Sequence, residues 1–245
     1  MTSRHQVVFV HGAWYGGWCW DRVGRGLAER GFAVAAPDLP GRGGDGVDVG
    51  QVSLSDCVER LAGVVLSSPE PVVLVAHSLG GVSATAMTEE QPDSVAAVVF
   101  VGAFLPVSGS AAVDVIRADE ASAMREIRRL SADGRSSIVA GDRVDEVLWT
   151  GCSPEDIAAA RGRVVAESTE LARERVHWSV EGFGRRPRFY VECNRDRVIS
   201  PAAQRRMWTE TPCAEVYSLA TGHAPFFATP DRLAEIIVSI ADSVA

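Results

Sequence analysis

Lysine is absent from this chain: all 24 of its basic residues are arginine. That absence excludes chemistry built on a Schiff-base lysine or on the lysine of a phosphate-binding loop. Paired cysteines are missing too. Cys19, Cys57, Cys152, Cys193 and Cys213 are odd in number and widely spaced, with no C-x-x-C among them. Neither a zinc knuckle nor a dithiol redox motif is available. The five read as reduced thiols, and a cytoplasmic location is expected. No apolar run approaches the roughly 20 residues of a membrane span. Met1 to His5 lead into a short apolar strand instead of a secretory h-region. Positive charge is also in short supply, 24 basic residues against 32 acidic ones for a net charge of -8. This argues against nucleic acid or an anionic membrane surface as a partner. No metal or cofactor is implied, and the expected partner is a small molecule, with a homodimer left open.

What the chain does contain is an alternation of short apolar runs with amphipathic stretches. It has 245 residues, 47% hydrophobic and 23% charged, enough to bury a substantial core. Strands are expected over 6–10, 33–36, 72–75 and 95–101, separated by helices over 20–30, 54–66 (capped by Ser53) and 79–91. Continuous β-branched runs suit a parallel sheet covered on both faces, and strand–helix alternation points to a doubly wound α/β fold. From 107 to 186 the rhythm stops, with no strong strand and helical patterns over 112–130 and 154–175. It resumes with strands over 188–193 and 215–219 and helices over 201–209 and 230–241. The expected organisation is an α/β core of residues 1–106 and 187–245, with 107–186 inserted as a helical cap.

The run Val72-Val73-Leu74-Val75-Ala76-His77-Ser78-Leu79-Gly80-Gly81 carries the chemistry. An apolar strand ends abruptly in a serine flanked by small residues, and a helical stretch follows. A tight strand-to-helix turn is one of the few ways to expose a serine hydroxyl as a nucleophile, and the positions two residues away must be small. Ala76 replaces the first glycine of G-x-S-x-G and still fits that turn. The competing role is a buried structural serine in an ordinary βα turn.

A serine nucleophile needs an imidazole base, and the base needs a carboxylate to hold its tautomer. There are five histidines. His5 lies near the chain start and is expected to be solvated; His11 ends the first strand; His77 should point away from Ser78; His177 falls in the insertion. His223 is left, in the loop directly after the last expected strand, at the same sheet edge as Ser78. Asp196 follows the strand over 188–193, whereas the strand over 95–101 is followed by no carboxylate. The order Ser78, Asp196, His223 is that of α/β-hydrolases. An ion pair with Arg195 or Arg197 is the plainer role for Asp196. Two backbone N–H groups must face the developing oxyanion. Leu79 supplies one at the helix N-terminus, where the dipole helps, and Ala13, after Gly12, is expected to supply the other. Trp14, Phe104, Trp149 and Trp178 are the candidate substrate contacts, with core packing equally open to the two cap tryptophans.

The segments Phe9-Val10-His11-Gly12-Ala13-Trp14-Tyr15-Gly16-Gly17-Trp18-Cys19-Trp20 and Ala76-His77-Ser78-Leu79-Gly80-Gly81 resemble one α/β-hydrolase branch. It is the plant methylesterase and hydroxynitrile lyase group with its bacterial esterase relatives. The likeness extends to Pro37-Asp38-Leu39-Pro40-Gly41, Cys152-Ser153-Pro154-Glu155-Asp156, Tyr190-Val191-Glu192-Cys193 and Gly222-His223, and is weakest over 108–147. The resemblance implies an α/β-hydrolase fold and either esterase or lyase activity. The lyases of the group carry a hydroxyl residue at the position of Gly12 and a lysine right after the catalytic histidine, where this chain has Ala224. Relatives that turn to decarboxylation replace the acid by Asn, unlike Asp196. The expectation is therefore a serine esterase acting on a small-molecule methyl or aryl ester. The alternatives are a non-hydrolytic lyase, cyclase or acyl-transfer enzyme of secondary metabolism using the same triad, and a ligand-binding receptor that retains it. Gly41-Arg42-Gly43-Gly44-Asp45-Gly46 formally fits G-x-G-x-x-G. It follows the second strand and opens no helix, so a dinucleotide site is not expected there.

Overall fold

A computed structural model describes residues 5–42 and 44–245; Met1 to Arg4 and Gly43 of the glycine-rich decoy lie outside the described residues. In chain order the first half runs β1 (Val7–Val10), α1 (Asp21–Ala28), β2 (Val34–Ala35), α2 (Leu54–Val65), β3 (Val72–His77), α3 (Gly80–Glu90) and β4 (Val95–Val101). The insertion contributes α4 (Ala112–Ala118), α5 (Met124–Ile127), β5 (Arg128–Leu130), β6 (Ser136–Val139), α6 (Val144–Leu148), α7 (Pro154–Arg161) and β7 (Glu167–Ser168). The chain closes with β8 (Arg188–Cys193), α8 (Pro201–Glu210), β9 (Glu215–Leu219), α9 (Pro225–Ala228) and α10 (Pro230–Ser243).

Six strands form one parallel sheet in the order β2-β1-β3-β4-β8-β9. The apolar runs become its centre: every residue of β1 and β3 is buried. Helices cover both faces, so these strands need no polar alternation. Ser53 caps α2 through a capping box, its hydroxyl accepting from the Asp56 N–H while the Asp56 carboxylate accepts from the Ser53 N–H at 2.8 Å. Such a reciprocal pair satisfies two orphan donors of the first turn. The order in which strands are added reverses between β1 and β3, and ligands bind in open α/β sheets at such a switch point, beyond the carboxyl ends of the strands. β4 pairs directly with β8, Val98 opposite Arg188, so residues 102–187 leave and rejoin the sheet between adjacent strands.

That insertion is not wholly helical. β5, β6 and β7 form a three-stranded antiparallel sheet within it, Arg129 opposite Ile138 and Ser137 opposite Glu167. The helix expected over 112–130 breaks at Asp119, whose carboxylate is buried and accepts from the Ser200 N–H at 2.8 Å. The helix expected over 154–175 ends at Gly162. His5 is half-buried and not fully solvated: one ring nitrogen lies 2.6 Å from the Pro71 carbonyl oxygen and the other 3.2 Å from that of Val244, between the start of β3 and the residue after α10. Among the described residues no helix is long and apolar enough to cross a membrane.

Candidate active site

The carboxyl end of β3 turns into α3 through Ser78, whose φ of 51° is in the left-handed region. A side chain there costs about 1–2 kcal/mol, and the surroundings hold it in place. Gly80 permits the turn: a Cβ at this position would sit 2.5 Å from the His11 carbonyl oxygen and 2.9 Å from that of Val10. The Ser78 carbonyl accepts from the Phe104 N–H at 3.0 Å, locking the elbow to the segment after β4.

Three loops at this sheet edge bring the expected side chains together. His223, after β9, places Nε2 2.9 Å from Ser78 Oγ and Nδ1 2.7 Å from Asp196 Oδ2. All three residues are buried, Ser78 the most accessible at 5%. Asp196 Oδ1 accepts from the N–H groups of Val198 (2.7 Å) and Ile199 (3.0 Å), and Oδ2 also accepts from Gln204 Nε2 at 3.3 Å. With only donors around it, the carboxylate accepts from His223 Nδ1–H. That fixes the tautomer, leaving the Nε2 lone pair to accept the Ser78 proton.

His77 points away from the serine's exposed face, as its place on the turn requires. Its Nε2–H donates to the His223 carbonyl at 2.7 Å, and the two rings lie 4.6 Å apart. Burial, and secondarily the neighbouring His223, push the His77 pKa well below its ordinary value, so it is a neutral support. His11 plays a similar part on the other side. Its Nε2 accepts from the Leu39 N–H (3.0 Å), so Nδ1 carries the proton and donates to the Gly12 carbonyl (2.9 Å). Burial above all lowers its pKa to about 3.

This clamp fixes the loop that follows β1. Gly12 is required there, because a Cβ would lie 2.7 Å from both His77 Nδ1 and Ser78 Cβ. A hydroxyl residue at position 12 does not fit this backbone. The next residues face the nucleophile: Ala13 and Leu79 line the same cavity as Ser78, and neither N–H has a hydrogen-bond partner among the described residues. Trp14 adopts φ of 66°, donates from Nε1 to the Ser137 carbonyl at 3.2 Å and accepts at its own carbonyl from the Val165 N–H. The loop after β1 is thereby tied to the inserted sheet.

A cavity opens on Ser78. Trp14 and Phe104, two of the four expected contacts, line it. Trp149 and Trp178 do not. Trp149 is buried in the core with Nε1 donating to Tyr15 Oη at 2.8 Å. Trp178 donates to the Pro106 carbonyl at 3.0 Å and packs edge-on against Phe183. Core packing claims both rings. The cap lining comes instead from Ile116, Met124, Arg128, Ser137, Glu167 and Ala172, with Val198 from the core. Sequence reasoning missed Arg128, Ser137 and Glu167 because it missed the inserted sheet. The local hint was the β-branched pair Ile138-Val139.

An alpha/beta hydrolase family model matches residues 7–236. The chain is 31% identical to the pyrethroid hydrolase of Sphingobium wenxiniae over 98% of its own length and 88% of that protein's. It is 30% identical to methyl jasmonate esterase 1 of Vitis vinifera, covering 98% of each. Two putative chloroplastic methylesterases of Arabidopsis thaliana, 14 and 13, match at 30% identity, the chain spanning 72% and 56% of their lengths. The crystal structure of a pyrethroid hydrolase from Sphingobium faniae superimposes with a TM-score of 0.87 at 28% identity, over 98% of both chains. The chain belongs to the alpha/beta hydrolase family and stands among its carboxylic-ester hydrolases.

Proposed function

We propose that the protein is a serine hydrolase that cleaves small-molecule carboxylic esters of the methyl or aryl type through an acyl-enzyme. One observation carries the reading: the continuous chain of contacts Ser78 Oγ to His223 Nε2 (2.9 Å) and His223 Nδ1 to Asp196 Oδ2 (2.7 Å) at the mouth of a cavity. Ser78 Oγ attacks the ester carbonyl as its proton passes to His223 Nε2. Asp196 holds the imidazolium that forms. The Ala13 and Leu79 amides take the oxyanion, a contact worth about 3–4 kcal/mol per donor in such sites. His223 then protonates the leaving alcohol as the tetrahedral intermediate collapses to the acyl-enzyme. Water attacks that ester with His223 again as base, and the acid leaves with Ser78 restored.

The relatives' names support ester cleavage in general, a methyl ester in one case and a pyrethroid in another. Two features of the chain support hydrolysis over lyase chemistry. Ala224 follows the base, so no cation stands there to receive an anionic leaving group, and the tight contacts of Gly12 leave no room for a hydroxyl side chain. A screen of methyl and aryl esters in water enriched in ¹⁸O tests the reading. It expects one labelled oxygen in the released acid and no turnover by Ser78→Ala. Unlabelled product, or turnover that survives the substitution, contradicts it.

A further inference from the structure

The register of the inserted sheet decides which of its side chains face Ser78. Arg128 stands opposite Val139, Leu130 opposite Ser137, and Ser137 opposite Glu167. Residues directly opposite share a face, as do alternate residues along a strand. Arg128, Ser137 and Glu167 therefore project from one face, and all three line the cavity that contains Ser78.

Their charges are not balanced alike. Glu167 is buried and paired with Arg42 at 2.6 Å, both side chains 4% exposed, and its other oxygen accepts from the Ser168 N–H. Both oxygens of that carboxylate are therefore occupied. Arg128 is half-buried, yet its guanidinium makes no hydrogen bond or ion pair among the described residues. Burial, and then a second cation, Arg173, lower its pKa from the ordinary arginine value. Ser137 is an independent sign: it is 3% exposed, and its hydroxyl also lacks a partner among the described residues. Much of the remaining lining is apolar, with Trp14, Phe104, Ile116, Met124 and Val198. A half-buried guanidinium with no ion-pair partner is costly, and a planar carboxylate is the group whose two oxygens match its fork.

We propose that Arg128 and Ser137 form a subsite for a second, ionised carboxylate on the substrate, so that the enzyme takes half-esters of dicarboxylic acids. The carboxylate accepts two parallel N–H bonds from Arg128 and one O–H bond from Ser137, while the ester at the other end of the molecule meets Ser78. The inference rests on the esterase reading for its substrate class but not for its binding site. Glu167 does not compete for Arg128, because Arg42 already holds it.

The test compares kcat/KM for monomethyl esters of succinate, glutarate, adipate and pimelate with the neutral methyl alkanoates of equal chain length. At one length the half-ester is expected to be favoured at least tenfold. The readout is the ratio, which should fall towards one in Arg128→Gln, be partly kept in Arg128→Lys, and drop several-fold in Ser137→Ala. No preference at any length, or a preference intact in Arg128→Gln, overturns the subsite. Calorimetric titration of the four free dicarboxylates into wild type and Ser78→Ala separates the two readings. Binding to both proteins and not to Arg128→Gln upholds the subsite even if no ester is turned over, an outcome that sinks the esterase alone. Neutral esters cleaved, no diacid bound and no half-ester preference sinks the subsite alone.

Discussion

Asp196→Asn changes one atom and should disable the site through a tautomer. Asp196 Oδ1 accepts two backbone N–H groups, from Val198 and Ile199. Only the carbonyl oxygen of an asparagine can take that place, so its NH₂ must face His223 Nδ1. The NH₂ also meets the Gln204 Nε2 donor that now points at Oδ2. A donor opposite Nδ1 forces His223 into the other tautomer, with its proton on Nε2 and aimed at Ser78 Oγ. The base then has no lone pair for the nucleophile. In triads of this geometry the wrong tautomer costs about 10⁴-fold in kcat, or about 5.5 kcal/mol of transition-state stabilisation. The assay is steady-state hydrolysis of an activated aryl ester at pH 7.5, with a thermal melt to confirm the fold. A loss near 10⁴ with a melting temperature close to wild type supports the argument. A folded variant within tenfold of wild type refutes it, because Asp196 would then not be setting the tautomer.

The remaining expectations concern neighbouring parts of the same architecture. Gly12→Ser would put a Cβ 2.7 Å from Ser78 Cβ, so the loop must shift, at a cost of about 1–3 kcal/mol; urea unfolding and ester assays should show loss of both stability and activity, and an active, fully stable variant would contradict the geometry. Trp149→Phe removes the donor to Tyr15 Oη, neither residue lining the cavity, so stability should drop by about 1 kcal/mol while kcat/KM stays within twofold; a large specificity change would return Trp149 to the substrate pocket. His11 is neutral when folded, with a pKa of about 3, but ordinary when unfolded, so below pH 6.5 the unfolded chain binds the extra proton and stability falls with pH. Between pH 6.5 and 4.5 that amounts to about 2.3 kcal/mol for His11, and the buried His77 adds to it in the same direction. Urea titrations at both pH values should show His11→Gln losing less stability on acidification than wild type; equal losses would count against it.

The candidate triad was legible because each member sits where a strand of the main sheet stops. A β-branched run ending at His77 and two stretches of aromatic and aliphatic residues ending at Cys193 and Leu219 announce those strands locally, and the loops after them carry Ser78, Asp196 and His223. Exclusion did much of the rest, with only five histidines to choose from. The substrate wall was not legible. β5, β6 and β7 have three, four and two residues, too short for a periodic signal to outweigh the charged, helix-compatible residues around them. They exist through pairing with one another and through contacts such as Trp14 Nε1 to the Ser137 carbonyl. Tertiary contact also ended the first cap helix, at Asp119, where the bond to Ser200 outweighs local preference. The two cap tryptophans misled for a related reason: an aromatic side chain in an insertion looks like a pocket wall until its N–H partner is known.

Every step of the proposed reaction starts from Ser78 as the nucleophile. Incubation with a fluorophosphonate probe, followed by intact mass and peptide mapping, tests this directly. One adduct per chain is expected, on the peptide that contains Ser78, and none on Ser78→Ala. An unlabelled wild-type protein that still turns over esters, or an adduct mapped to another residue, would contradict the account.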